Sequence, residues 1–245
     1  RERTLQFSGQ YEQTSLDKLN PDGNDNGARG TISYIDKFAD DKVGIAFAYT
    51  SMASPNQEKR WNAWGFNNAT LDGDDITMLG GAKPFVRSST LERDSALFVL
   101  EAAPTDKLKL TFDALYVDFN DEKILRGIEI PYGWGYAVSD ANTEILARDG
   151  DFVTSARKSG EKLVVRNDAE DRSAEMTAVG FNVDYNLNDD WSLEFDVSNS
   201  QVDRKIWSME SYSGYGRGDN IGPYDTITYS LVDGTNGAIF TPTLD

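Results

Sequence analysis

The chain contains no cysteine and no histidine. Without cysteine there can be no disulfide, no thiolate nucleophile and no Cys-ligated zinc or iron–sulfur centre. Without histidine, Ser-His-Asp chemistry, His-ligated metals and the usual general base near neutral pH are excluded. Long apolar runs are also missing. The longest, around Val43–Tyr49 and Ala96–Leu100, are strand-sized, far short of the ~18–20 residues of a membrane helix. A helical membrane protein is thereby excluded, but a membrane β-barrel is not, because its signal per segment is much weaker. Basic charge is scarce too. Lys and Arg number 24 against 41 Asp and Glu, a net charge of −17, whereas nucleic-acid binding wants a basic footprint.

What is present reads at first as a soluble, acidic, extracellular-looking protein: mean hydropathy is −0.53 and 27% of residues are charged. The 11% aromatic content and 21 glycines lean toward β structure. The chain begins at Arg1 with no signal peptide, so it is expected to be a processed product or a piece of a longer protein. No linker divides residues 1–245.

A unit recurs along the chain: an alternating strand, a tight polar turn, a second alternating strand, then a long polar stretch. In Leu5–Glu12, Leu5, Phe7, Gly9 and Tyr11 fall on one face and Gln6, Ser8, Gln10 and Glu12 on the other, the period-2 signature of a half-buried strand. Asn20–Gly27 is dense in turn formers and closes that strand. Three hairpins are predicted around short turns. The first joins Gly30–Phe38 to Val43–Ser51 through Ala39–Lys42, the second Arg93–Ala103 to Leu108–Phe119 through Pro104–Lys107, and the third Ala174–Asn186 to Trp191–Val202 through Leu187–Asp190. The connections Met52–Glu92, Asn120–Ser173 and Asp203–Asp245 show no sustained period and are expected to be long loops. Short turns at one end and long loops at the other is the asymmetry of an outer-membrane barrel.

The acidic residues follow the same map. Ten of the 41 lie in predicted strands. Mid-strand acids (Glu101, Asp113, Asp184, Glu194 and Asp196) have polar-face parity; those with apolar-face parity (Asp36, Asp94, Asp118 and Glu175) are expected at or near strand ends, with Glu12 making the tenth. A lipid-facing surface requires this arrangement, since charge is costly at mid-bilayer and cheap at the interface. Tyr11, Tyr34, Phe38, Tyr49, Tyr116, Tyr185 and Trp191 cluster toward strand ends, as an aromatic girdle would. A soluble β-sandwich alternates equally well, so the loop asymmetry and the girdle are what favour the barrel.

Three stretches resemble the TonB-dependent outer-membrane receptors. They are Gly30–Gly44 leading through Lys59–Gly65, then Glu101–Tyr116 with its Pro-Thr-Asp-Lys-Leu-Lys-Leu turn, and finally Ala178–Asn182 through Trp191–Ser198. The likeness is to the proteobacterial subgroup often linked to uptake of oligosaccharides or other organic nutrients. It implies an all-β, antiparallel transmembrane barrel in the bacterial outer membrane. The family has about 22 strands around a plugged lumen, so this chain, with about seven strands, would be an internal part of the barrel. No plug-like region, no TonB-contacting segment and no closing C-terminal aromatic is recognisable in residues 1–245. By resemblance, the whole protein binds a scarce nutrient (oligosaccharide, siderophore or similar) and imports it using energy relayed through TonB. No reaction is catalysed and no cofactor or metal is implied. The partners would be nutrient, plug domain, TonB and lipid, with Gln6, Gln10, Glu101, Asp113, Glu194 and Asp196 facing the lumen. The alternatives are a soluble secreted β-sandwich that binds carbohydrate, and a passive porin.

Candidate ligand contacts are the aromatics of the long connections: Trp61, Trp64 and Phe66 in the first, Tyr132, Trp134 and Tyr136 in the second, Trp207, Tyr212, Tyr215 and Tyr224 in the third. Their flat apolar faces suit stacking on sugars or aromatic siderophores. Six of them, Trp61, Trp64, Tyr132, Trp134, Tyr136 and Trp207, form the predicted ligand-binding set, with Trp61, Trp64 and Trp134 expected to line an extracellular vestibule. Asp22–Gly27 matches the opening of a calcium loop, but Ser33 stands where the bidentate acid belongs, so it reads as a turn. Asp72-Gly-Asp74-Asp75 reads as a solvated acidic loop, and the glycine-rich Gly214–Gly218 precedes no helix and is no nucleotide motif.

Overall fold

The computed structural model describes residues 3–133, 138–214, 224–232 and 237–243. Every regular element among them is a β-strand. The contacts divide the chain into two compact units, the first comprising Arg1–Gln57, Ser88–Lys123 and Glu170–Ser208, the second Glu58–Arg87, Ile124–Ala169 and Met209–Asp245.

The first sheet has eight strands. Its path runs β1 (Thr4–Gln13), β2 (Asn26–Phe38), β3 (Val43–Ala63), β6 (Ala82–Thr105), β7 (Leu108–Glu129), β10 (Val164–Asn186) and β11 (Ser192–Met209), with β12 (Tyr212–Ser213) paired to β10. These are the strands of the predicted hairpins, and the turns lie where the sequence puts them. Most are far longer than expected. β6 has 24 residues, β10 has 23 and β7 has 22, about twice the 9–11 of a membrane-crossing strand.

In the first unit the alternation is faithful. Leu5 pairs with Tyr34 and Phe7 with Ile32 across β1–β2, and Tyr34 pairs with Phe47 and Ile32 with Tyr49 across β2–β3. One apolar face therefore runs across neighbouring strands, since directly opposed residues share a face. That face is uncovered: Phe7, Trp191, Leu193 and Phe195 are 69%, 70%, 57% and 55% exposed. Along β10 the contrast is inverted relative to a water-soluble sheet. Thr177, Val179, Phe181 and Tyr185 are exposed, while the intervening Met176, Ala178, Gly180, Asn182 and Asp184 are half-buried. The opposite face is polar and internally bonded. Thr31 and Thr50 hydroxyls lie 3.0 Å apart, Lys109 Nζ lies 3.2 Å from Glu101, and the Asn182 amide donates to Glu194 and Asp196 at 3.5 and 3.4 Å.

Two of the acids with apolar-face parity are chaperoned by tyrosines. Tyr34 Oη donates to Asp36 at 2.6 Å, with Arg3 Nε donating at 2.8 Å, and Tyr49 Oη donates to Asp94 at 2.7 Å. Asp94, Asp118 and Glu175 are not at strand ends as expected; the longer strands place them mid-strand. They mark the end of the apolar band instead. The β1–β2 connection is a folded strap. Asn20 Nδ2 donates to Ser88 Oγ (2.9 Å), Ser88 Oγ to Gln57 Oε1 (2.6 Å), and Gln57 Nε2 to the Asn24 carbonyl (2.7 Å), so the Asp22–Gly27 segment is committed to this strap.

The expectation of three long loops is corrected in the second unit. The connections contain β4 (Phe66–Leu71), β5 (Asp74–Leu79), β8 (Thr143–Asp149), β9 (Phe152–Glu161), β13 (Asp225–Leu231) and β14 (Ala238–Thr243). These form a sheet ordered β14-β13-β9-β5-β4, with β8 on β9. β5 meets β9 in parallel at Thr77–Phe152, a pairing remote in sequence. Its core is Leu71, Ile76, Met78, Leu79, Ala82, Ile130, Tyr132, Val153, Ala156, Ile227 and Tyr229. All three connections supply core residues, and none could bury an apolar face alone.

The turn between β2 and β3 carries a cost. Lys42 N donates to the Ala39 carbonyl at 3.2 Å, and Ala39, Asp40 and Asp41 all have left-handed φ of 55°, 56° and 67°. Such conformations cost non-glycine residues roughly 1–2 kcal/mol each. Asp41→Gly is expected to stabilise the hairpin by about 1 kcal/mol, seen as a higher midpoint in urea unfolding.

Candidate functional site

The six predicted contact residues have separate fates. Tyr132 is fully buried. Its hydroxyl donates to the carbonyls of Ala156 (2.9 Å) and Ile227 (3.2 Å), and its ring meets Tyr229 edge-on at 4.9 Å. Tyr229 Oη donates to the Val153 carbonyl at 2.9 Å. Two tyrosines thus tie β9 and β13 to the core, and burial raises both phenols, Tyr229 to about 12. Trp61 is half-buried against the same core. Trp64 packs on Gly81, where a methyl group would collide with the indole, and the Lys83 ammonium sits 5.4 Å from its ring centre. Trp207 is exposed on β11. Trp134 and Tyr136 lie outside the described residues, as do Tyr215 and the glycine-rich run after Gly214.

Sequence reasoning missed the buried charge of the second unit. Arg166, at the start of β10, is almost wholly buried and holds three carboxylates. It bonds Glu129, grips Asp168 with two nitrogens at 3.2 and 2.7 Å, and lies 3.0 Å from Glu210. Lys83 Nζ reaches Glu129 at 2.9 Å. The Tyr212 ring stacks 3.9 Å from the guanidinium while its hydroxyl donates to Glu210 at 2.5 Å. That hydroxyl, then the guanidinium, holds the Glu210 carboxyl below its ordinary range. A planar guanidinium suits this combination of fork and stack, which lysine could not supply. β12 is fastened to β10 by this clamp. Its parts are isolated charges and an aromatic in the sequence, and only folding gathers them.

A second buried pair joins Lys158 and Glu161 at the end of β9, with the ammonium 5.9 Å from the Tyr132 ring centre. Burial pushes the Glu161 carboxyl up to about 7, outweighing the adjacent ammonium. In the first unit, a cavity of about 520 Å³ opens at the turn end. Lys37, Lys42, Lys107 and Lys109 line it beside Asp40, Asp41, Glu101 and Asp184. Its mixed charge suits a polar protein segment better than a small apolar ligand. Among the described residues, no group of three or more carboxylates is arranged to hold a metal ion. No protein-family model matches the chain, and no curated protein matches it.

Two outcomes are expected. Tyr132→Phe removes the one proton that the Ala156 and Ile227 carbonyls share and should cost the second unit about 1–3 kcal/mol, read as faster hydrogen exchange of β9 and β13 amides. Glu161 has a folded pKa above its ordinary 4.5. Its contribution is therefore present in full below that value and lost as pH rises through about 7, amounting to at most about 3 kcal/mol. Amide protection of β9 should fall across that window, and Glu161→Gln should flatten the fall.

Proposed function

We propose that the chain is part of the β-barrel of a TonB-dependent outer-membrane receptor, which binds a nutrient outside the cell and imports it in an energy-coupled way. The observation carrying this reading is the uncovered apolar face of the first unit. The soluble sandwich needs a second layer over that face, and among the described residues of the unit none of the large apolar side chains on that face is buried. Lipid is the covering that needs no further protein.

The height of the face supports the same reading. On β7 it runs from Leu108 to Tyr116 and stops at Asp118; on β10 it runs from Tyr185 to Thr177 and stops at Glu175. Eight steps span about 27 Å along a strand. Tilted by ~40°, they rise about 20 Å, close to the ~25 Å apolar band of outer-membrane barrels. Tyr185 and Trp191 sit at one border and Tyr11, Tyr49 and Tyr116 at the other, where amphipathic rings belong. The polar face then lines the lumen, and the mixed-charge cavity at the turn end is where a plug would pack. β1 and β11 end the sheet order with one side each unpaired, and a barrel would pair both with further strands. The folded sheet and core in the long connections favour a ligand-binding receptor over a passive porin, whose loops need only constrict a channel.

The test is depth-dependent charge placement in the full-length protein. Phe112→Arg, at mid-band, should destabilise the bilayer-inserted form by about 2–4 kcal/mol. Thr111→Arg, one residue away on the polar face, should cost little. The readout is reversible folding into lipid vesicles. Equal tolerance of both, with full solubility in the absence of detergent, would return the sandwich reading.

A further inference from the structure

We infer that the free edge of β4 is a docking site for an extended, basic polypeptide segment, which it takes up as an added strand. The second sheet offers three outer edges, and two of them are blunted. β8 has register shifts between Ile145 and Ala147 and between Ala147 and Arg148, and it carries Glu144, Arg148 and Asp149. β14 carries Pro242. Bulges, charges and proline are the devices that keep an edge from pairing with a foreign strand. β4 has none of them. Phe66–Leu71 contains no charge and no proline, and it pairs with β5 along its whole length without a register shift. Among the described residues no strand pairs with its other side.

The turn fixes which backbone groups that edge presents. Leu71 and Asp74 close the two-residue loop Asp72-Gly73, whose φ angles are 52° and 86°. In this kind of hairpin the closing pair exchanges both hydrogen bonds. Alternation then turns the backbone of Leu71, Ala69 and Asn67 toward β5, and that of Asn68 and Thr70 away from it. Thr77 shows the same phase: it stands opposite Asn68, and its N–H points away from β4 to the Asp151 carbonyl at 2.8 Å. Asn68 and Thr70 are exposed, so their N–H and C=O groups face water at the spacing an incoming strand requires.

Both ends of the β4–β5 hairpin are pinned. The Phe66 ring packs on Phe152 with centres 5.2 Å apart, and Asp72 N donates to Asp140 Oδ1 at 2.8 Å. An edge already held in place loses little freedom on docking. Charge then selects the partner. Beside the edge lies an open concavity of about 420 Å³, lined by Asn68, Thr70, Asp75, Thr77 and Asp151 among others, and no basic residue lines it. Arg148 pairs with Asp74 at 2.8 Å, but among the described residues neither Asp75 nor Asp151 has a cationic partner. Asp75 is paired with Thr70 and shares its face. A Lys or Arg at alternate positions of an added strand would meet these carboxylates, and an acidic strand would be repelled. The edge is a property of the second unit alone, so the inference stands apart from the receptor reading.

The experiment titrates the full-length protein with three capped octapeptides. One alternates lysine and valine, one alternates glutamate and valine, and the third is the lysine peptide with every backbone amide N-methylated, which keeps its charge and removes its ladder donors. The lysine peptide should bind, and the other two should bind about tenfold more weakly or worse. On binding, hydrogen exchange should slow at the Asn68 and Thr70 amides. Asn68→Pro removes an outward N–H and no bond to β5, and should weaken the lysine peptide about tenfold or more. Asp75→Asn combined with Asp151→Asn should weaken it too, most clearly at low salt, whereas Glu144→Gln on β8 should not. The methylated peptide keeps the test valid if Asn68→Pro fails to fold, because it leaves the protein unaltered. No binding of the lysine peptide overturns the inference. So does equal binding of its methylated form, which would mark mere attraction to an acidic surface. Dimerisation without peptide that Asn68→Pro abolishes would give the edge to a second copy of the chain and overturn it as well.

Discussion

A β-sheet with one apolar face must have that face covered, and the structure of this chain turns on that constraint. Burying apolar surface contributes roughly 25 cal/mol per Å², and the first unit leaves a whole face of Leu, Phe, Tyr and Trp side chains outside its own contacts. Its stability in isolation would rest on backbone ladders and polar-face contacts such as Lys109–Glu101 and Thr31–Thr50, which are individually weak. The remaining stabilisation must come from whatever meets the apolar face. Under the proposed receptor reading a bilayer would meet it without specificity and would reward the same alternation on every strand, which fits a pattern repeated across β1, β2, β3, β6, β7, β10 and β11.

The second unit solves the same problem conventionally. Its strands fold a core of their own, drawn from all three connections, and several of its buried polar groups are tied down. The Tyr132 hydroxyl serves two strand carbonyls, Tyr229 a third, and Arg166 gathers Glu129, Asp168 and Glu210. Breaking one partner of such a buried network strands the others in low dielectric, so the clamp acts to hold one arrangement. The Thr77–Asn68 and Thr70–Asp75 hydrogen bonds fix side chains across β4 and β5 in the same way.

Aromatics therefore play three roles, and residue type did not tell them apart. Tyr49 and Tyr116 border an exposed apolar band, Tyr132 and Tyr229 are core struts, and Phe66 and Phe152 form a tilted ring pair between β4 and β9. Tyr132 lies in a run of aromatics and glycines that reads as a binding loop, yet it is among the most buried side chains of the chain. Its hydroxyl became satisfiable only because β9 and β13 happen to present carbonyls within reach. Phe66, one of many loop aromatics in the sequence, gains significance from Phe152, 86 positions away.

By itself the sequence determined the all-β class, the three tight turns, the seven-strand meander and which face of each strand is apolar. These rest on period-2 alternation and turn chemistry, both local and repeated. It determined also that chemistry dependent on histidine or cysteine is absent. Tertiary structure alone decided that Asn120–Ser173 and its two counterparts are sheet rather than loop. Their strands are short, and the local hairpins β4–β5, β8–β9 and β13–β14 are joined into one sheet only by the remote β13–β9 pairing and the parallel β5–β9 step, which no hairpin signal announces. Tertiary structure likewise decided which charges are buried. Arg166, Glu129, Lys158 and Glu161 look like any surface charge in sequence, because burial is a property of what else arrives at the same place.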